Sequence, residues 1–133
     1  MLIANGILIE KHETQIAPFL EEFLKNMSKA KILSYDFFLA VSGDGTVYEL
    51  FNGYYKRKDI DFKKNPLTIA QIPGGSGCLL FHNYSQLSNS PKKIQQSIYA
   101  IIHPKKKPVF LKQISCKSFD GVVRKYYYFL YVA

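Results

Sequence analysis

Two glycine-rich stretches hold the residues of this chain that are best suited to chemistry. The first, SGDGT at residues 42–46, places Asp44 between two glycines, and the second, PGGSG at residues 73–77, follows a charged linker and an apolar run. Glycine lets backbone N–H groups approach a phosphate closely, and a carboxylate beside such a loop can accept a proton from an attacking hydroxyl. Together the two stretches indicate a phosphate site and phosphoryl transfer.

Both stretches also have plainer interpretations. GGSG lacks the lysine of a Walker A motif and SGDG is not GxGxxG, so the packing of a tight turn explains either stretch equally well. Asp44 precedes a predicted helix, where an aspartate is more often an N-cap than a base. Glu49, one turn further on, is more often exposed to solvent than bound to a nucleotide or its magnesium. The residues alone leave these alternatives open.

The apolar runs around the two stretches predict the elements that would hold them. Residues 36–41, DFFLAV, and residues 67–72, LTIAQI, are typical of strands that are buried in a parallel sheet. Each strand leads into a glycine stretch and then a helix, the second of which starts in CLLFHNY at residues 78–84. The first helix has its apolar face at Val47, Leu50, Phe51, Tyr54 and Tyr55. Loops at the carboxyl ends of adjacent parallel strands open on one crevice, where such sheets bind ligands.

Weaker patterns predict the remaining elements. Residues 7–9, ILI, are a short strand candidate, and Thr14 can cap the helix that follows. That helix has apolar residues at Ile16, Phe19, Leu20, Phe23, Leu24 and Met27. Ser90 and Pro91 are suited to begin a helix with Ile94, Ile98, Ile101 and Ile102 on one face. Residues 109–119 and 122–132 flank Asp120 and Gly121 and predict a hairpin. The expected fold class is therefore α/β, a three-layer, open and mainly parallel sheet with an antiparallel C-terminal hairpin.

The composition fits one globular domain that has anionic partners. The 133 residues are 47% apolar, and 18 Lys and Arg against 10 Asp and Glu give a net charge of +8. Cys78 and Cys116 belong to no CxxC pair, so reduced thiols and a cytoplasmic location are expected. The start, MLIANGILIE, is interrupted by Asn5 and closed by Glu10, which predicts neither a signal peptide nor a membrane span.

The histidines, tyrosines and lysines bear on three further classes of function. His12, His82 and His103 are widely spaced and have no carboxylate or cysteine at ligand separation, so no dedicated metal site is expected. The tyrosines at 126–128 fall in a predicted strand and the lysines are scattered over loops, which disfavours a nucleic-acid-binding domain. The run PKKKP at residues 104–108 is typical of a solvated loop, and peripheral contact with anionic lipid is its functional alternative.

Taken together, the motifs resemble the catalytic domain of the diacylglycerol kinase and sphingosine kinase superfamily. The resemblance rests on FFLAVSGDGTVYELFNGYY, a charged linker and PLTIAQIPGGSGCLLFHN. Ser42 in place of a glycine, the GSG form of the second stretch, and the segments from IYAIIHPKKKPVFLKQIS to YYYFLYVA are most similar to sphingosine kinases. NAD kinases and phosphofructokinases also carry a GDG-type motif, but an NAD kinase should show an asparagine-glycine stretch in place of PGGSG.

The resemblance implies a reaction and roles for particular residues. The cofactors would be ATP and Mg²⁺, with the metal arriving on the nucleotide, and the substrate would be a sphingoid base or a diacylglycerol-like lipid with a primary hydroxyl. Asp44 matches the family's general base toward that hydroxyl, and Glu49 matches a nucleotide-contacting glutamate. The implied nucleotide-binding residues are Ser42, Gly43, Gly45, Thr46, Glu49, Gly74, Gly75, Ser76 and Gly77.

The chain also departs from the family pattern. The family begins with a glycine-rich turn of the NPxxGxG kind and continues into a β-rich lipid-binding domain, and neither is expected within residues 1–133. Glu10 stands where the family often has a threonine, and Cys78 where it usually has asparagine. The resemblance thus implies one partial catalytic domain, with an inactive ATP-binding or interaction module as the alternative. It implies weak ATP binding and little transfer to sphingosine by the isolated chain, and it leaves the oligomeric state open.

Overall fold

The protein mixes short helices with two pairs of strands. The computed structural model describes residues 2–15, 18–75, 78–87 and 94–129. After a 3₁₀ turn at Ile3–Asn5 come helices α1 (Phe19–Asn26) and α2 (Lys29–Leu33), strand β1 (Phe38–Ser42), helix α3 (Asp44–Tyr55), strand β2 (Ile69–Pro73), helices α4 (Leu79–Leu87) and α5 (Ile94–Ile102), and strands β3 (Leu111–Lys117) and β4 (Val123–Phe129). No helix in these ranges has both the length and the apolar character needed to cross a bilayer.

The strands form two separate sheets in the described residues. β1 and β2 pair in parallel, in a register that runs from Phe38 opposite Ile69 to Ser42 opposite Pro73. β3 and β4 pair antiparallel, with Lys117 opposite Val123 next to the turn. The parallel pair and the C-terminal hairpin confirm an α/β protein, whereas the predicted three-layer open sheet goes beyond these two paired strands.

Helix α3 joins the two halves of the core. Its predicted apolar face is buried on both sides: Leu50 and Tyr54 pack with Leu24 of α1, while Val47 and Phe51 pack with other residues that include Ala40 of β1 and Leu80 of α4. Burial of each such large side chain stabilises the fold by about 1.5–3 kcal/mol. This packing fixes the start of α3 at the end of β1.

Helix α1 is held at both ends by charged side chains that follow the first glycine stretch. The Glu49 carboxylate accepts a hydrogen bond from the N–H of Leu20 at 2.9 Å. At the other end, Arg57 donates to the carbonyls of Leu24 at 2.5 Å and Met27 at 2.6 Å. An anion near the start of a helix and a cation near its end both interact favourably with the helix dipole.

Two predictions about the first quarter of the chain are wrong. Residues 7–9 do not form a strand: Leu8 is 98% exposed, and these residues pair with no described strand. Helix α1 begins at Phe19, after Pro18, and Thr14 does not cap it, since Glu49 supplies the acceptor from a distant part of the sequence. Ile16 lies outside the described residues.

The predicted hairpin is confirmed, and α3 supports its base. Phe119 to Gly121 form a three-residue loop in which Gly121 has φ of 79°, a left-handed conformation that glycine adopts without strain. The Asn52 side chain is 6% exposed and bonds to both backbone groups of Tyr127, accepting from its N–H at 3.0 Å and donating to its carbonyl at 3.2 Å. Helix α5 is also confirmed, while its predicted cap at Ser90 lies outside the described residues.

Candidate functional site

The two glycine stretches lie against each other at the carboxyl ends of β1 and β2. The N–H of Gly74 donates to the carbonyl of Ser42 at 3.2 Å. Gly75 faces Gly43 so closely that a Cβ at residue 75 would lie 2.8 Å from the Gly43 Cα and 3.0 Å from its nitrogen. Gly75 therefore has a packing reason to be glycine, and the contact brings the two predicted loops together at one edge of the sheet.

Asp44 caps helix α4 and does not cap α3, the helix in which it lies. It is the first residue of α3, whose N-cap, Gly43, contributes no side-chain hydrogen bond. The Asp44 Oδ2 accepts hydrogen bonds from the N–H groups of Cys78 and Leu79, both at 3.0 Å, at the start of α4. A carboxylate that accepts two N–H groups of a helix's first turn forms charge-assisted bonds and also interacts favourably with the helix dipole. The plainer interpretation, a cap of the helix that Asp44 begins, is wrong.

The two oxygens of Asp44 differ in their surroundings. Oδ1 is buried and has no hydrogen-bond partner among the described residues. Buried polar atoms are nearly always paired in folded proteins, so an unpaired carboxylate oxygen of this kind is a reason to expect a function. Because Oδ2 fixes the orientation of the carboxylate, Oδ1 is suited to accept a proton from a hydroxyl that reaches it. Ser76 and Gly77, which precede Cys78, lie outside the described residues.

Helix α3 presents its first turn next to this carboxylate. The first N–H groups of an α-helix have no partner within the helix, and glycine at the N-cap adds no side-chain acceptor. Gly45 is exposed, and a Cβ on it would meet nothing within 4 Å. Thr46 follows in the same turn and is partly buried. This open helix start is the kind of surface that binds phosphate groups.

Gln71 joins the first glycine stretch to helix α4, and the sequence did not single it out. Its amide donates to the Ser42 carbonyl at 3.1 Å and accepts from the N–H of Phe81 at 3.1 Å. It is 8% exposed, so both bonds are largely shielded from water. The signal was present, because a lone amide side chain stands inside the apolar run LTIAQI.

Cys78 has an unusual backbone at the start of α4. It has φ of 94°, and among the described residues no other side-chain-bearing residue has a positive φ. Its thiol is buried and lies 3.4 Å from the Gly75 carbonyl and 3.6 Å from that of Ser42. Asparagine, which the resemblance implies here, adopts positive φ more readily than most residues. Both cysteines are free thiols, as expected.

The Glu49 carboxylate bonds to helix α1 and not to the described residues of the glycine stretches. One of its oxygens caps α1 through Leu20, so the expectation that it faces solvent is wrong, and its predicted contact with a nucleotide stays a prediction.

Two cavities lie away from the glycine stretches: one of about 130 Å³ lined in part by Tyr35 and Asn65 near the amino ends of the strands, and one of about 550 Å³ along α1. The described residues contain no group of three His, Cys, Asp or Glu that could hold a metal ion.

Comparison with known proteins identifies the family. The model of the diacylglycerol kinase catalytic domain matches residues 1–114, which include both glycine stretches, Asp44 and every helix described above. No curated protein and no solved structure matches the chain significantly. Since the family match covers well over half of the 133 residues, the chain belongs to the diacylglycerol kinase catalytic domain family, within the superfamily that also contains the sphingosine kinases.

Proposed function

We propose that the chain is the nucleotide-binding part of an ATP-dependent lipid kinase that phosphorylates the primary hydroxyl of a lipid. Family membership supports lipid kinase activity, and with it the use of ATP and a divalent metal. The observation that carries the proposal is the position of Asp44, whose carboxylate reaches from the first glycine stretch to the residues that follow the second, with one oxygen held and the other unpaired among the described residues.

In this proposal the glycine stretches bind the phosphates of ATP. The open first turn of α3, with Gly43, Gly45 and Thr46, supplies backbone N–H groups and the positive end of the helix dipole. On the other side Gly74 and Gly75 of the second stretch complete the crevice, and the resemblance assigns Ser76 and Gly77 to the same nucleotide. Ser42 lies where the two stretches meet, because its carbonyl accepts a hydrogen bond from the N–H of Gly74. Magnesium would come with the nucleotide and neutralise part of its charge.

Asp44 acts as the general base toward the lipid hydroxyl. As the hydroxyl oxygen forms its bond to the γ-phosphorus, the bond from that phosphorus to the bridging oxygen breaks and ADP leaves. The hydroxyl proton passes to Oδ1, while the two bonds from Cys78 and Leu79 hold Oδ2 in place. A positioned base of this kind contributes roughly 10²–10⁴-fold to the rate.

A sphingoid base is the favoured substrate, with diacylglycerol as the alternative. Support comes from the residues that are similar to sphingosine kinases, namely Ser42 in the first stretch and the GSG form of the second.

A second candidate is an ATP-binding module without turnover. The observation in its favour is that Glu49 and Asp44 both serve as caps of neighbouring helices, which gives each a structural role that needs no reaction. In this alternative the crevice binds ATP weakly, and a partner or a further domain would be needed for transfer.

One experiment separates the two candidates. Purified chain is titrated with a fluorescent ATP analogue and then assayed for transfer of radiolabelled phosphate from ATP to sphingosine or diacylglycerol in detergent micelles. Asp44→Asn is the matched variant, because it keeps a side-chain oxygen that can accept from Cys78 and Leu79 but can no longer take a proton. Transfer that Asp44→Asn lowers by about 100-fold or more supports the kinase. ATP binding without transfer, which the resemblance implies for residues 1–133 alone, selects the second candidate for this chain, and no ATP binding contradicts both.

A further inference from the structure

The β3–β4 hairpin extends away from the rest of the protein. Its base contacts the core through Leu111 and through Tyr127, whose ring lies 5.7 Å from that of Tyr55. Beyond the base, residues 112–117 and 119–125 are all exposed. Seven-residue strands correspond to roughly 23 Å, so the turn lies well beyond the core. The hairpin tip, defined as residues 117–125, is thus exposed to solvent apart from the partly buried Ser118.

This tip carries apolar side chains in an ordered turn. Phe119 has a relative exposure of 114%, and Val122 and Val123 are 49% and 56% exposed. The turn is held by its own hydrogen bonds, since the N–H of Ser118 donates to the Val122 carbonyl at 3.0 Å and the N–H of Gly121 to the Ser118 carbonyl at 2.9 Å. A phenylalanine held entirely in water by an ordered turn is costly, and such exposed apolar groups mark interaction sites.

The same tip carries an excess of positive charge. Lys117 and Lys125 are exposed, and Lys117 lies opposite Val123 on one face of the hairpin. The nearby acidic residue, Asp120, is already paired with Arg124 at 3.1 Å. The two lysines are therefore available to an anionic partner while the tip presents apolar groups beside them.

We propose that the hairpin tip docks on an anionic lipid bilayer. Phe119 and Val122 enter the boundary between headgroups and acyl chains, and Lys117 and Lys125 contact anionic headgroups. A bilayer fits better than a protein groove or a nucleic acid, because the apolar groups project from a narrow turn with basic residues behind them, as in interfacial anchors. The docking goes beyond the proposed function, since it needs neither ATP nor Asp44.

Vesicle co-sedimentation tests the proposal without any kinase assay. The full chain is mixed with phosphatidylcholine vesicles that contain about 30 mol% phosphatidylserine, a composition that gives a negative surface potential. We expect binding that weakens as salt rises from about 0.1 M to 1 M, and little binding to pure phosphatidylcholine. Phe119→Ser should lower the partition coefficient by about tenfold. Lys117→Gln combined with Lys125→Gln should lower it by about 25-fold, roughly fivefold for each lysine.

Matched variants keep the test specific to the tip. Leu8→Ser removes an equally exposed apolar residue elsewhere, and Lys63→Gln with Lys64→Gln removes two exposed lysines of a different loop. Both should bind vesicles as the unmodified chain does. The proposal is overturned if the unmodified chain does not bind phosphatidylserine vesicles, if Phe119→Ser binds equally well, or if neutralising residues 105–107 abolishes binding while the tip variants retain it. Phe119-dependent dimerisation without lipid, seen by size-exclusion chromatography, would also overturn it.

Discussion

Replacing Gly75 by alanine tests the contact between the two glycine stretches. The new Cβ would lie 2.8 Å from the Gly43 Cα, whereas ordinary contact begins at 3.4 Å, so the two backbones must separate by more than half an ångström. The neighbours are backbone atoms and cannot rotate away. Cys78 and Leu79 follow closely in the chain, so the same movement strains their two bonds to Asp44.

The expected cost follows from these two effects. Overpacking costs about 1–3 kcal/mol, and weakening a hydrogen bond to a charged group costs about 1.5 kcal/mol or more. Together they lower the free energy of unfolding by about 2.5–4.5 kcal/mol. For a chain of 133 residues, an unfolding entropy of about 2.1 cal/mol/K per residue converts this into a fall of about 9–16 °C in the melting temperature.

Gly45→Ala is the matched control. It lies in the first turn of α3, only one residue from Asp44, but its new Cβ would meet nothing within 4 Å. We expect a change within about 1 kcal/mol, in the stabilising direction, because alanine favours a helix more than glycine does. Urea unfolding followed by far-ultraviolet circular dichroism measures both variants. The reasoning fails if Gly75→Ala is as stable as the unmodified chain, or if Gly45→Ala loses as much stability as Gly75→Ala.

Three further predictions concern the elements around the site. Glu49→Ala should lower the free energy of unfolding by about 0.5–2 kcal/mol, because the N–H of Leu20 loses its acceptor. Glu49→Gln keeps an acceptor and should cost less. A loss of ATP affinity in Glu49→Gln at unchanged stability would instead assign Glu49 to the nucleotide. Asn52→Leu should speed amide hydrogen exchange at Tyr127 and cost about 1–3 kcal/mol, since both backbone groups there lose their partner; unchanged exchange would show that Asn52 does not hold the hairpin. The hydrogen bond from Lys31 holds the pKa of Glu10 at about 2, below its usual 4.5. Glu10→Gln should therefore have a lower free energy of unfolding than the unmodified chain above pH 4.5, and this difference should disappear as the pH falls to about 2. A difference that does not change with pH would contradict this.

The sequence predicted the elements that its local patterns determine. β1, α3 and β2 follow from two continuous apolar runs and one helical spacing, and the hairpin follows from Asp120 and Gly121. Because β1 and β2 were expected to be parallel, their glycine stretches were also expected to meet, and the contact between Gly43 and Gly75 agrees with that expectation.

What the sequence did not predict depends on partners that are distant along the chain. The start of α1 is set by Glu49, and three apolar residues at 7–9 form no strand because no described strand pairs with them. The partner of Asp44 is likewise distant, since Cys78 and Leu79 belong to the next helix. No local propensity contains this information, because capping by a remote side chain and strand pairing are both tertiary contacts.

We propose that the two glycine stretches and Asp44 form one nucleotide crevice. The most direct measurement is a titration of the isotope-labelled chain with magnesium and ATP, followed by the chemical shifts of its backbone amides. We expect the largest changes at Gly43, Gly45, Thr46 and Gly75, and unchanged amides at the opposite, amino ends of the strands. Changes confined to the cavity near Tyr35, or no changes at millimolar ATP, would contradict it.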